Sequence, residues 1–103
     1  MAHPSLKLDD TVHQRVRLGI LAVLSGAQKA DFSYLREALD LSDGNLSRHL
    51  QVLEENGLVR IEKGFEGKRP RTWVTATKRG RAALDAELGA LRELISRVDG
   101  GAD

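Results

Sequence analysis

The chain has 103 residues, a formal net charge of +1 and no cysteine. This length predicts a single domain, and the lack of cysteine excludes disulfides, thiolate metal sites and cysteine nucleophiles. No apolar run approaches the roughly 18 residues of a membrane-spanning helix, and residues 1–8 lack a secretion signal's apolar core. We therefore expect a cytoplasmic protein without a membrane partner.

The first part of the chain predicts two helices. Residues 1–9 are expected to be a flexible N-terminus. Asp10 is a suitable N-cap for a first helix that ends near Ser25. Apolar residues recur at helical spacing within this stretch: Val12, Val16, Ile20 and Leu24. Asp31 is a suitable N-cap for a second, short helix.

The third predicted helix has signals at both ends. Ser42 suits the N-cap position. Gly57 suits the position just past the C-terminus, with Leu53 and Leu58 as the apolar pair that closes a Schellman motif. The buried stripe is expected to be Leu46, Leu50 and Leu53, which leaves small and polar residues facing outward.

The period then changes from helical to alternating. Residues 58–63 and 72–77 alternate apolar with polar residues and are rich in β-branched side chains, so both are predicted strands. Residues 64–71 contain glycine and several cations and are predicted to be the exposed connection of a hairpin.

The last predicted helix spans residues 78–98, with Thr77 as its N-cap and a flexible tail at 99–103. The expected fold is α+β and mostly helical. It has a three-helix core and a two- to three-stranded β-wing within residues 10–77, followed by a C-terminal dimerisation helix.

Positive charge is concentrated in one part of the chain. Residues 60–81 contain eight lysines and arginines but two acids, whereas acids outnumber bases on either side. Such an asymmetry indicates a polyanionic partner.

A short helix, a tight turn and a second helix can dock the second helix in the major groove of DNA. Arg48 is the first candidate for a base contact, because a guanidinium pairs with guanine O6 and N7. The other candidates on this helix are Ser42, Asn45, Ser47, His49 and Gln51. Asp43 would repel a phosphate, so it must face a cytosine amino group, a neighbouring cation, or away from DNA.

The hairpin supplies further candidates. Four cations, Lys63, Lys68, Arg69 and Arg71, can reach phosphates or the minor groove; the alternative is an ordinary soluble hairpin tip. Lys78 and Arg79 occupy the first turn of the last helix, where the helix dipole disfavours cations. Phosphate contact and a salt bridge to nearby acids explain them equally well.

The last helix carries an apolar seam with alternating spacings of four and three residues, typical of a coiled coil. Its members are Leu84, Leu88, Leu91, Ile95 and Val98. We expect it to form a homodimer, which would set two recognition helices one DNA turn apart. Packing of the seam on its own domain is the alternative.

Residues 41–59, LSDGNLSRHLQVLEENGLV, resemble the recognition segment of MarR- and ArsR-type winged helix-turn-helix regulators, and residues 67–80 resemble their wing. The resemblance covers roughly residues 8–98 and is closest to compact single-domain members. It implies a homodimer that reads a pseudo-palindromic operator. It places Ser42, Asn45, Ser47, Arg48 and His49 on the recognition helix, and Lys68, Arg69 and Arg71 on the wing. The cysteine metal sites of many ArsR-type sensors are absent, and the long flanking helices of MarR proteins are shortened.

Other functions have weaker support in the sequence. The three histidines lack metal-ligand spacing, and neither a nucleophile elbow nor a phosphate-binding glycine loop is present. We therefore expect that the protein is not an enzyme and binds no metal or cofactor.

The predicted function is sequence-specific binding of double-stranded DNA in transcription, with repression expected because binding alone blocks a promoter. The alternative is a protein-interaction module, for which Phe65 and Val52 are the candidate apolar contacts.

Overall fold

The computed structural model describes residues 3–100. The four α-helices and the hairpin follow one another in the predicted order, after a short N-terminal 3-10 helix at Pro4–Lys7, and a two-residue strand that was not predicted lies between the first two helices. The elements are α1 (Arg15–Ser25), β1 (Ala30–Asp31), α2 (Phe32–Ala38), α3 (Asp43–Glu55), β2 (Val59–Glu66), β3 (Arg69–Ala76) and α4 (Lys78–Asp99).

Both ends of α3 form as predicted. The Ser42 side chain caps the helix by accepting a hydrogen bond of 3.1 Å from the Asn45 N–H. Gly57 has a φ of +73°, a conformation that glycine adopts without a steric penalty. The Leu58 N–H then donates to the Leu53 carbonyl at 2.9 Å, which closes the Schellman motif.

The predicted start of the first helix is wrong. α1 begins at Arg15, and its N-cap is Gln14, whose side-chain oxygen accepts from the N–H groups of Val16 and Arg17. The Asp9 carboxylate instead holds an isolated turn by accepting from the N–H groups of Thr11 and Val12. The predicted helix is therefore divided into a turn capped by Asp9 and the helix α1 capped by Gln14.

The sequence predicts no element in residues 1–9. The structure places the 3-10 helix Pro4–Lys7 there, and residues 1 and 2 lie outside the described residues. The end of this segment and the turn that follows it are joined to α4 by the buried Glu87. Its Oε1 accepts from the Asp9 N–H at 2.9 Å, and its Oε2 lies 2.6 Å from Nδ1 of His13. Lys7 also pairs with Glu93 at 3.0 Å. These partners lie about 80 residues away in sequence, where no local pattern reveals them.

The three strands form one antiparallel sheet in the order β1-β3-β2. The hairpin differs from its prediction, because most of residues 64–71 is strand rather than an exposed connection. Only Gly67 and Lys68 lie between the strands, and Gly67 has the positive φ (+65°) that two-residue hairpin turns require. Pro70 is tolerated in β3 because it lies beyond the residues that pair with β1, so β3 has one neighbouring strand there.

The core lies between α1, α3 and the inner ends of the strands. Most of the residues predicted for the helical stripes are fully buried, and Leu21 is buried with them although it was not predicted. The fully buried aliphatic side chains are Val12, Ile20, Leu21, Leu24, Leu35, Leu46, Leu50, Leu53 and Val74. Burying such aliphatic side chains contributes about 1.5–3 kcal/mol each before the entropy cost is counted. This core fixes α3 with its polar side outward.

α4 begins after Thr77, whose hydroxyl accepts from the Gly80 N–H at 2.9 Å as predicted. The helix ends at Asp99, one residue beyond its predicted end, and residues 101–103 of the predicted tail lie outside the described residues. Between residues 3 and 100, no helix is both long and apolar enough to cross a membrane.

Gly80 allows the first turn of α4 to cross the chain where α3 ends. A Cβ atom at this position would lie 1.9 Å from the Leu58 carbonyl oxygen, far inside contact distance. The Thr77 N–H donates to this same oxygen at 3.0 Å, so the carbonyl is held in place. The close approach therefore requires glycine.

Replacing Gly80 with alanine should lower the free energy of unfolding by about 3 kcal/mol, because the backbone of two elements must move apart. Gly89 is the matched control: it lies in the same helix, is exposed and has open space around it. Gly89→Ala should raise stability by up to about 1 kcal/mol through helix propensity. Urea denaturation at one fixed protein concentration measures both, and equal effects would contradict the packing argument.

Candidate functional site

The outward surface of α3 is polar and free of bulky apolar side chains. Asn45, Ser47, Arg48 and Gln51 are exposed, and Ser42 is exposed at the N-cap. The opposite side of the helix is anchored by its buried leucines, so these five residues cannot rotate inward. Their backbone is therefore fixed on a solvent-facing ridge.

His49 differs from the other candidates on α3 because it is half-buried against α1. Its Nδ1 lies 3.1 Å from Nη1 of Arg17, which donates to the neutral ring. Burial, followed by the positive charges of Arg17 and Arg48, lowers the pKa of His49 below its usual range. The structure therefore places His49 at the joint between α1 and α3 rather than on the outward ridge.

The negative charge of Asp43 is matched by a neighbouring cation, one of the three possibilities left open by the sequence. Nη1 of Arg36 on α2 donates to Oδ1 of Asp43 at 2.7 Å. This hydrogen bond, together with the charge of Asp43, raises the pKa of Arg36. The first turn of α3 therefore presents a paired carboxylate instead of an isolated one.

The hairpin has two faces, because successive side chains of a strand point in opposite directions. Ile61, Lys63 and Phe65 share one face of β2, and their partners Val74, Thr72 and Pro70 lie opposite them on β3. This is the inner face, since Ile61, Lys63 and Thr72 line a groove with α3. The outer face carries the alternate residues, among them Glu66, Arg69, Arg71 and Trp73.

Arg71 on the outer face is held by two carboxylates of the protein. One guanidinium nitrogen donates to Asp31, and the other donates to Glu66 at 2.8 Å. The same guanidinium lies 5.8 Å from the ring centre of Trp73, and Nζ of Lys29 lies 4.3 Å from it. The sequence predicts Arg71 on the exposed connection of the hairpin, but it lies within β3 and its charge is paired inside the protein, with one partner, Asp31, from a strand 40 residues earlier.

The remaining wing cations are exposed. Lys68 lies in the turn, Arg69 begins β3 and Lys63 lies on the inner face. Among residues 3–100, none of these three forms an ion pair with a carboxylate. Their charges are therefore available to an external anion.

A groove of about 490 Å³ separates α3 from the inner face of the hairpin. Its polar side chains come from both walls: Ser47, Gln51 and Glu54 from α3, and Lys63 and Thr72 from the strands. Hydroxyl, amide and ammonium donors suit a phosphodiester strand, whereas Glu54 places a negative charge toward the C-terminal end of α3. Thr72 is not among the site residues predicted from the sequence, because it joins the site only through its pairing with Lys63 across the hairpin.

Lys78 and Arg79 lie at the base of the hairpin, away from its tip. Ala76 at the base is seven residue steps from Arg69 near the tip, which corresponds to about 24 Å of strand. The Arg79 side chain lies near Gly57, just past the C-terminus of α3. The dipole of α3 favours a cation there, so this position accounts for Arg79 without a phosphate contact.

The predicted apolar seam of α4 divides into two parts. Leu84 is buried and Leu88 packs against the core of its own domain, as the alternative interpretation expects. Leu91 is half-buried, whereas Ile95 is 57 % exposed and Val98 is 72 % exposed. The second half of α4 therefore presents an apolar surface that this chain leaves open.

Comparison with known proteins links this geometry to one family. The family model described as a winged helix DNA-binding domain matches residues 16–95. The structure of a transcriptional regulator homologue from Pyrococcus horikoshii OT3 is similar with a TM-score of 0.82 and 40 % identity, covering 86 % of this chain and 88 % of that chain.

Two further solved structures are similar. A MarR-family transcriptional regulator from Enterococcus faecalis V583 has a TM-score of 0.78 and 26 % identity, with 95 % of this chain and 87 % of that chain covered. The transcriptional regulator MosR of M. tuberculosis, in complex with DNA, has a TM-score of 0.71 and 25 % identity, with 94 % and 69 % covered. These three solved structures are of transcriptional regulators or a homologue of one, not of enzymes, and together with the family model they confirm the winged-helix fold.

The two arginines of the hairpin should differ in their effect on stability. Arg71→Ala removes both charge-assisted hydrogen bonds and leaves the largely buried Asp31 carboxylate without its cation, so it should cost about 1–2 kcal/mol. Arg69→Ala removes an exposed side chain of the same type and should change stability by less than about 0.5 kcal/mol. Urea denaturation measures the difference, and equal effects would show that the pairs of Arg71 contribute nothing.

Proposed function

The chain belongs to the winged helix DNA-binding domain family of transcriptional regulators, and on that premise we propose that it binds a specific double-stranded operator as a homodimer and represses transcription. The single observation that carries this proposal is the groove between α3 and the hairpin. Ser47, Gln51, Thr72 and the unpaired Lys63 line it together with the apolar Phe32, Leu50 and Ile61, and Lys68 and Arg69 are exposed farther out on the hairpin. A DNA target also implies the compartment of the chromosome, which is the cytoplasm of a bacterial or archaeal cell.

The proposed complex places α3 in the major groove, which is about 12 Å wide and admits one helix. The exposed ridge of α3 would then face the base edges. Arg48 supplies the guanidinium for a bidentate contact with guanine, and Asn45 and Gln51 supply amides of the kind that pair with adenine. The ion pair of Arg36 with Asp43 reduces repulsion where a phosphate would approach the N-terminus of α3.

The hairpin would lie across the phosphodiester strand next to that major groove. Ser47 and Thr72 offer hydroxyl donors from opposite walls of the groove, and Lys63 adds a positive charge between them. Lys68 and Arg69 extend the positive surface to the tip, where they can reach the adjacent minor groove. The base-reading helix and the backbone-binding wing would thereby hold one DNA strand from two sides.

Dimerisation through α4 supplies the second half-site contact. Ile95 and Val98 are exposed on the same helical surface as the half-buried Leu91. Packing this surface against its copy buries apolar area and places two α3 helices in a two-fold arrangement. A symmetric pair of that kind reads a pseudo-palindromic sequence, as the resemblance to MarR-type regulators implies.

Binding to duplex DNA should depend strongly on salt. If each protomer contacts four or five phosphates, the slope of log K against log salt should be roughly −7 to −9 for the dimer.

Arg48→Ala should weaken binding to a selected operator by about 1–3 kcal/mol and relax preference at one base position. Lys68→Ala should weaken all duplexes alike and reduce the slope by about 2, one unit for each protomer.

Fluorescence anisotropy with a duplex selected from a random pool measures all three quantities. Arg92→Ala is the control, because it removes an exposed cation of α4 that is distant in sequence from the groove. It should leave base preference and slope unchanged. A wild-type slope near zero would refute DNA binding and would favour the protein-interaction alternative.

The dimer surface is tested by placing a charge on it. Ile95→Glu should convert the dimer to a monomer and weaken operator binding by about 100-fold or more, because the two half-site contacts are no longer linked. Ser96→Glu adds the same charge one residue away on a polar, exposed position and should remain dimeric. Light scattering measures the mass of each variant. If both variants stayed dimeric, the partner contact would lie elsewhere.

A further inference from the structure

Phe65 is a large apolar residue that the proposed function leaves unused. It lies next to the end of β2, is 75 % exposed and is paired directly with Pro70 on β3. Residues that pair across two strands point to the same face. Phe65 and Pro70 therefore form one apolar pair on the inner face, beyond the end of the groove that faces α3.

The surroundings of this pair are positively charged. Lys63 precedes Phe65 on the same face, and Lys68 and Arg69 lie at the adjoining turn. Glu66 is the acid next to Phe65, and Arg71 neutralises it through a hydrogen bond of 2.8 Å. An apolar tip with a cationic rim is complementary to DNA, in which sugars and base edges lie between two rows of phosphates.

The tip is also rigid before it meets a partner. Pro70 fixes its own φ angle, and the two-residue turn joins the strands without a flexible loop. Arg71 ties the hairpin to Asp31 at the start of α2. A pre-ordered tip loses little conformational entropy on binding.

The width of DNA limits how such a tip can bind. The minor groove of B-DNA is about 6 Å wide, whereas two strands are already about 4.8 Å apart before their side chains are added. The hairpin therefore cannot enter an undistorted minor groove as a whole. A single apolar side chain at its tip can enter, and proteins use phenylalanine and proline in this way to unstack and kink base steps.

We propose that Phe65, supported by Pro70, is an apolar wedge that enters the minor groove beside each half-site and bends the operator there. This inference rests on the proposed function, because it requires that α3 occupies the neighbouring major groove. Bending costs least at pyrimidine–purine steps. The wedge should therefore create a preference for TA or CA/TG steps at a position that α3 does not contact.

The test compares Phe65→Ala and Phe65→Leu with the wild-type dimer on a duplex selected by the wild-type protein. Dyes at the two ends of the duplex report the bend by resonance energy transfer. Phe65→Ala should weaken binding about 5- to 20-fold, abolish most of the bend and remove the step preference. Phe65→Leu keeps an apolar wedge and should retain more than half of the bend.

The salt slope separates a wedge from a charge effect. Phe65→Ala should leave the slope unchanged, because no phosphate contact is lost, whereas Lys68→Ala should reduce it. Tyr34→Ala is the matched control, since Tyr34 is an aromatic residue of α2 that is 58 % exposed and lies outside the hairpin. It should leave both affinity and bend unchanged.

Each contrary outcome has a separate meaning. Unchanged affinity or an unchanged bend in Phe65→Ala would overturn the wedge while leaving DNA binding intact. A change in the mass of that variant by light scattering would show that Phe65 contacts a second copy of the chain, and this also overturns the wedge. If the wild-type protein selected no duplex at all, the proposed function itself would fail.

Discussion

The two-residue turn at Gly67 fixes the register of β2 against β3, and this register gives the groove its charge. The pairing continues from Glu66 opposite Arg69 to Val59 opposite Ala76. Because side chains alternate between faces, a slip of one residue in β2 would move Lys63 and Phe65 to the outer face. Glu62 and Glu66 would then face α3. The groove that suits an anion would become one that repels it.

Which charged side chains are available to DNA depends on ion pairing within the protein as much as on amino-acid composition. Arg71 and Arg36 are paired with carboxylates of the protein, and each pair weakens both the attraction of the cation for phosphate and the repulsion by its carboxylate partner. Each pair contains one positive and one negative charge, so pairing does not alter the net charge of this region. It determines which charges remain unpaired. Positive charge remains at the tip and in the groove, whereas paired charges lie between α2, α3 and the outer face.

The features that the sequence predicts well are determined by neighbours in the chain. The caps of α3 and α4 follow from Ser42, Gly57 and Thr77, each of which bonds within a few residues. The features missed depend on distant partners or on competing local ones. Arg71 is paired by a strand 40 residues earlier, and the start of α1 is decided between two rival capping residues. The exposed ridge of α3 follows from its helical period, whereas the groove requires the register of the hairpin.

Asp31 joins the helical core to the wing and so connects the two halves of the proposed DNA contact. Its Oδ1 accepts from the Ser33 N–H and caps α2, while its Oδ2 accepts from Arg71 of the hairpin. The same residue belongs to β1 and pairs with Trp73 of β3. α2 is in turn bonded to the start of α3 through Arg36. A change in the angle of the wing would have to break this chain of contacts, so the spacing between the α3 ridge and the hairpin tip is set before DNA binds.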